Sequence, residues 1–166
     1  MKGEAEQIES KELRARLDDP SLQLIDVRRP DAYNGWRLAG ERRGGHVPGA
    51  RSLPAKWAGY LDWIEIVRAK DIRPEDEVVL YGYDRPETER VAGRFFERGQ
   101  SRVRIYDRFV EQWSAREDLP LQRLPRFPCL VPPEWVRDAA IHRRAPACGE
   151  PPGGPTRCPA LRCPGR

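Results

Sequence analysis

Asp26 and Arg28 stand two residues apart at the end of an apolar run. A carboxylate and a guanidinium so placed can take part in ligand binding or can fix a loop through hydrogen bonds and an ion pair. The loop-fixing reading is the simpler one. Arg28, Arg29, Arg37, Arg42, Arg43 and Arg51 then crowd one loop region that also holds His46. Guanidinium groups suit small oxyanions, and a solvated basic loop accounts equally well for such a composition. Arg28, Arg42, Arg43 and His46 are therefore the candidate anion-binding residues, with loop packing as the plainer role for His46. His142, Cys148, Cys158 and Cys163 could supply four ligands to zinc, but their intervals are irregular and no Cys-x-x-Cys pair occurs. No metal site and no cofactor are expected.

The elements that must carry these residues alternate between strand and helix. Ser10 is a suitable N-cap for a helix through Leu13 and Leu17 that stops near Asp18, Asp19 and Pro20. Leu22, Leu24, Ile25 and Val27 read as a buried strand, and Asp31 to Gly49, rich in Gly and Arg, as a long loop. Ala50 to Leu53 adds a brief strand. The spacing of Trp57, Tyr60, Leu61, Ile64 and Val67 predicts one amphipathic helix. Val78 to Tyr81 is apolar without alternation, as in a central parallel strand covered on both faces, and Gly82 ends it. The next helix starts at Asp84-Arg85-Pro86-Glu87, either with Asp84 as N-cap and Glu87 closing a capping box, or with Arg85 as cap and Pro86 at the first helical position. Val91, Ala92, Phe95 and Phe96 form its buried stripe, and Gly99 stops it. Val103, Ile105 and Tyr106 give another strand, and Val110 to Ala115 a short helix around Trp113. This order predicts an α/β fold in three layers, α/β/α, with a central, mainly parallel sheet. Trp36, Trp57, Trp63 and Trp113 are read as core or interface anchors.

Composition narrows the function classes. Apolar residues make up 39% of the chain and charged residues 34%, enough to form a core. The 30 basic and 26 acidic residues leave a net charge of only +4, which gives no support to nucleic-acid binding. No stretch has signal-peptide or membrane-span character, so a cytoplasmic protein with reduced cysteines is expected. All four cysteines lie at or beyond Cys129, which leaves the expected core without a thiol.

Three segments in order resemble a rhodanese (sulfurtransferase) module: Leu24-Ile25-Asp26-Val27-Arg28, Gly45-His46-Val47-Pro48-Gly49-Ala50, and Val78-Val79-Leu80-Tyr81 leading into a turn and helix. The resemblance implies a five-stranded sheet and a domain over residues 1–127. The longer loop from Gly35 to Gly45 is similar to that of the N-terminal, non-catalytic module of multi-domain sulfurtransferases, where His46 could be a general acid or a substrate contact. Leu130 to Val136 resembles the opening of a second module that does not continue. Residues 128–166 are accordingly read as a truncated or frame-shifted second-module start with a disordered tail rich in Pro, Gly, Arg and Cys. In the resembled family sulfur is carried as a persulfide on a cysteine directly after the strand matching Val78 to Tyr81. Here that place is Gly82, and the active-loop equivalent is Gly82, Tyr83, Asp84, Arg85, Pro86 and Glu87. Arg108 and Phe109 replace the paired glycines that the family carries before the final Trp. The expectation is a module that is inactive alone, with a structural, domain-docking or small-anion-binding role, whose partners are a catalytic rhodanese module or a small sulfur oxyanion. The alternative is an active thiosulfate sulfurtransferase that uses another cysteine or a second catalytic module.

Overall fold

The computed structural model describes residues 4–130. The chain divides into two compact units, Met1–Leu124 and Pro125–Arg166. Of the second unit, only Pro125 to Leu130 is described, with a single 3-10 turn at Phe127–Cys129. The zinc reading, the second-module opening beyond Leu130 and the tail reading all lie outside the described residues.

The first unit is built on a five-stranded sheet. Its strands are β1 (Glu6–Gln7), β2 (Leu22–Asp26), β3 (Arg51–Ser52), β4 (Glu77–Tyr81) and β5 (Val103–Tyr106). They lie in the order β1-β5-β4-β2-β3, and every pair is parallel. The α-helices are α1 (Ser10–Ala15), α2 (Pro30–Asn34), α3 (Trp63–Ala69) and α4 (Arg85–Glu97). The three-layer α/β expectation therefore holds. β4 is central because its run is apolar on both faces: Val78 and Leu80 join the cluster under α3 and α4, while Val79 and Tyr81 join the one with Leu13 of α1. Register aligns the rows, pairing Ile25 with Leu80 and Leu80 with Ile105.

Helix α4 buries Val91, Ala92 and Phe95, with Phe95 edge-on to Trp63 at a centroid distance of 5.5 Å. It ends at Gly99, whose φ of 95° suits the left-handed cap. Trp63 and Trp113 are fully buried, as expected of core anchors; Trp36 is exposed.

Several local expectations need correction. Ser10 is the first residue of α1 and Glu9 the N-cap; the Ser10 hydroxyl is drawn away to Tyr106 Oη at 2.7 Å and to Gln112. The presumed loop from Asp31 begins instead with α2, where Pro30 supplies the fixed φ of a first helical position. The single helix over Trp57 to Val67 is two pieces, a 3-10 turn at Ala55–Gly59 and then α3, because Tyr60 to Asp62 leave the helical path. Tyr60, Leu61 and Ile64 consequently end up exposed. The helix around Trp113 is a π-helical turn at Phe109–Trp113. Of the two cap choices for α4, Asp84 is the N-cap, its carboxylate accepting from Glu87 N–H at 3.2 Å, with Arg85 inside the helix.

Two measurements test this account. Gly45 has φ 122°, and a Cβ there would lie 2.3 Å from the Gln122 carbonyl oxygen, whereas Gly49, with φ 78°, has open space. Gly45→Ala is expected to lower the unfolding free energy by more than about 2 kcal/mol and Gly49→Ala by only about 1 kcal/mol in urea titrations. Arg16 and then Arg104 hold the Glu77 carboxyl below its usual value of about 4.5. That contribution is complete above the unfolded value and is lost as pH falls through the folded one. Arg16→Met should thus lower the thermal midpoint at neutral pH and shrink its drop between about pH 6 and pH 3.

Candidate functional site

The carboxyl ends of β4 and β5 open onto a cavity of about 410 Å³, the place where open α/β sheets hold ligands. One wall is the turn after β4, with Gly82, Tyr83, Asp84, Arg85 and Thr88; the other is the segment after β5, with Asp107, Arg108, Glu111 and Gln112. Pro86 and Glu87 sit in the first turn of α4 and are not part of the lining.

Gly82 is buried, and the space that a side chain would need there is filled. A Cβ would lie 2.7 Å from Thr88 Oγ1 and 2.8 Å from Val27 Cγ2. Thr88 is pinned in turn, its hydroxyl donating to Asp84 O at 2.8 Å. The Asp84 carboxylate takes the N–H that the start of α4 would offer an anion. Arg85 is engaged by Glu89 at 2.7 Å and by Asp107 at 3.0 Å. The cavity thus carries Asp84, Asp107 and Glu111 against Arg85 and Arg108.

Behind this wall lies Arg28, whose side chain is fully buried. Its Nε and Nη2 donate to both Asp26 oxygens at 2.6–3.2 Å, and Nη2 also donates to Gly45 O at 2.7 Å. The guanidinium lies 4.0 Å from the Phe109 ring centre and 5.2 Å from that of Tyr83. Burial works against its charge, but Asp26 outweighs burial and raises the pKa above the usual arginine value. Tyr81, on β4, donates to Asp26 Oδ2 at 2.9 Å and accepts from Val47 N–H at 3.1 Å. Burial first, and the Asp26 charge second, push that phenol well above its ordinary pKa.

The four candidate anion ligands do not share one space, and none of them lines the cavity. Arg28 serves Asp26 and the Gly45 carbonyl. Arg43 donates to the carbonyls of Ser114 at 3.1 Å, Trp113 and Leu119 at 2.9 Å, and Arg116. His46 stacks on Tyr33 with ring centres 3.7 Å apart, and its Nδ1 lies 2.7 Å from Tyr33 O. Arg42 is exposed. Among the described residues, no cluster of His, Cys, Asp and Glu is suited to a metal ion, and no helix is long and apolar enough to cross a membrane.

Sequence reasoning missed Glu41. It is buried, it accepts from Leu38 N–H at 3.0 Å, Ala39 N–H at 2.8 Å and Tyr83 Oη, and it lies 3.5 Å from Arg28 Nη1. Burial raises its pKa, yet these hydrogen bonds and the Arg28 charge hold it below the usual value. Nothing in the spacing of a Gly/Arg-rich loop marks one acid as internal.

Residues 9–116 match the family model for the rhodanese-like domain. The chain belongs to the rhodanese-like family. Among curated relatives of this rhodanese-like chain, thiosulfate sulfurtransferase YnjE of Escherichia coli (strain K12) is 27% identical over 126 residues, covering 74% of this chain and 28% of that protein. Among solved structures, wild-type EanB is 43% identical with a TM-score of 0.75, covering 90% of this chain and 35% of EanB. An EanB variant in complex with ergothioneine is 44% identical with a TM-score of 0.74, covering 89% and 34% of the two chains. The rhodanese-like chain therefore spans about a third of EanB and less of YnjE.

Replacing Arg28 by Met would leave the Asp26 and Glu41 carboxylates buried without their cation. The expected loss is about 3–5 kcal/mol of unfolding free energy in urea titrations. A loss under 1 kcal/mol, as is typical of exposed pairs, would show that Arg28 does not organise the site.

Proposed function

We propose that this chain is a rhodanese-like module of a larger sulfurtransferase that does not itself carry sulfur. The observation that carries this reading is Gly82. It follows β4 directly, where the family's persulfide cysteine is expected, and its Cβ position is closed by Thr88 and Val27. A thiolate placed there would also face Asp84, Asp107 and Glu111, and Arg85 is already paired. Nearby carboxylates disfavour a second negative charge. EanB itself has been described with hercynine, with ergothioneine and with a persulfide. In this reading the partner module holds the sulfane sulfur, and the present one contributes structure and docking in a reducing, cytoplasmic setting.

The test is incubation of the full chain with thiosulfate, followed by mass spectrometry and a cyanide assay. No +32 Da persulfide adduct (one sulfur) and no turnover above a thiol background are expected. Turnover that disappears on mutating Cys129, Cys148, Cys158 or Cys163 would replace the proposal by the alternative of an active sulfurtransferase working through another cysteine. Gly82→Cys by itself is expected to destabilise the fold and to give no turnover, with an alkylation pKa no lower than the free value of about 8.5. A clearly lower pKa together with thiosulfate turnover would show an intact anion cradle and overturn the reading.

A further inference from the structure

Arg51 stands on β3, at the edge of the sheet, and the register sets it beside Ile25. Paired residues of neighbouring strands, and residues two apart on one strand, share a face. Ile25 and Leu53 both belong to the core cluster under α3 and α4, so Arg51 lies on that face as well. The covering helix α3 ends in Lys70, its half-buried C-cap. Lys70 Nζ lies 5.9 Å from the ring centre of Trp57, which packs against the same cluster. Burial first, and the positive charge of Arg51 second, hold the Lys70 pKa below the usual lysine value. Two cations are thus neighbours in a partly dry setting. Arg68 pairs with Glu65 and Arg73 with Asp71, yet Lys70 between them forms no ion pair among the described residues, and neither does Arg51. Arg51 Nη1 is closed off from water and has no hydrogen-bond partner. The C-terminal end of α3 accounts for a cation at Lys70, but not for a second one near it. An unmet buried donor is costly, like charges in a poorly solvated place repel, and one anion relieves both.

We propose that Arg51 and Lys70, with Trp57 beside Lys70, form a binding site for a small tetrahedral oxyanion of the phosphate class. The guanidinium offers a planar fork of donors and the ammonium a compact charge on a mobile stem. An oxyanion between them accepts from both, and it supplies the acceptor that Arg51 lacks. The four-carbon stem of Lys70 lets its ammonium leave the Trp57 ring to meet the anion. The site is separate from the cavity at Gly82, whose lining includes neither cation. It is independent of whether the module carries sulfur.

Titration of the full chain with potassium phosphate, followed by NMR and set against potassium chloride at the same pH and ionic strength, tests the site. Saturable shifts are expected in phosphate at the Arg51 and Lys70 amides and at the Trp57 indole N–H. Arg51→Gln and Lys70→Gln should each weaken phosphate binding about tenfold, the size of one lost charge-assisted hydrogen bond, whereas Arg42→Gln, at an exposed cation of the long loop, should leave it unchanged. Phosphate should also raise the thermal midpoint of the wild type above that in chloride, since a ligand that binds only the folded chain stabilises it. That increment should vanish in Lys70→Gln. Equal shifts in chloride would mean that any salt merely screens the two cations, and would overturn the site. So would phosphate shifts that do not saturate, or binding that persists undiminished in Lys70→Gln, the variant that still decides if Arg51→Gln fails to fold.

Discussion

A guanidinium with no access to water is the constraint around which this end of the fold is arranged. Removing a charge of that size from water costs several kcal/mol, so Arg28 can exist only where other elements converge to meet it. β2 supplies Asp26 two residues earlier, the glycine-rich loop supplies the Gly45 carbonyl and Glu41, and Phe109 and Tyr83 lay rings against its faces. Tyr81 ties the central strand to the same carboxylate. The partners come from several separate segments, so the end of β2, the turns after β4 and β5, and the long loop are positioned by one residue. The rings add to this, because they exclude water and so strengthen the remaining interactions.

The same convergence decides what the cavity can do. In an α/β sheet the turn after a central strand offers free N–H groups and the positive end of a helix, which suits an anion. Here Asp84 already accepts from the start of α4, and Asp107 engages the arginine that would otherwise attract a ligand's charge. Thr88 and Val27 fill the volume next to Gly82. The start of α4 is thus capped from within the chain, and the position a side chain at residue 82 would take is occupied. Under the proposed function, this is what would separate a structural module from one that must hold a reactive sulfur anion.

Strands β2 to β5 and α4 are legible in the sequence because their signals are internal to each segment. Val78 to Tyr81 is apolar throughout, and Asp84, Val91, Ala92, Phe95 and Gly99 mark a start, a face and a stop. Where an element depends on distant partners, the pattern misleads. β1 is two exposed residues held by β5, too short for any periodicity. Leu61 has helical spacing with Trp57 and Ile64, yet it is fully exposed because the backbone turns between two helical pieces. Asp26 and Arg28 were visible as a pair. Glu41 was not, since its burial comes from Tyr83 and Arg28, which lie far away in the chain.

The arginine-rich loop shows how composition can point to a ligand while geometry points inward. A long segment without a ladder still has to satisfy buried carbonyl groups, and neither it nor its neighbours can do so with backbone donors alone. A guanidinium, with five N–H donors in a fixed fork, serves several carbonyls at once. Arg43 meets four of them at the end of the π-helical turn and beyond. Arg28 reaches Gly45 O, and Arg123 donates to Gly44 O at 2.9 Å. These contacts lie beside glycines that allow close backbone approach, with Gly44 packed so tightly that a Cβ would meet the Gly35 carbonyl oxygen at 2.0 Å. Glycine and arginine thus occur together because one brings carbonyls into crowded positions and the other supplies their hydrogen bonds. In an ordered loop that pairing is a scaffold in its own right, and it leaves exposed cations such as Arg42 as the ones open to solvent.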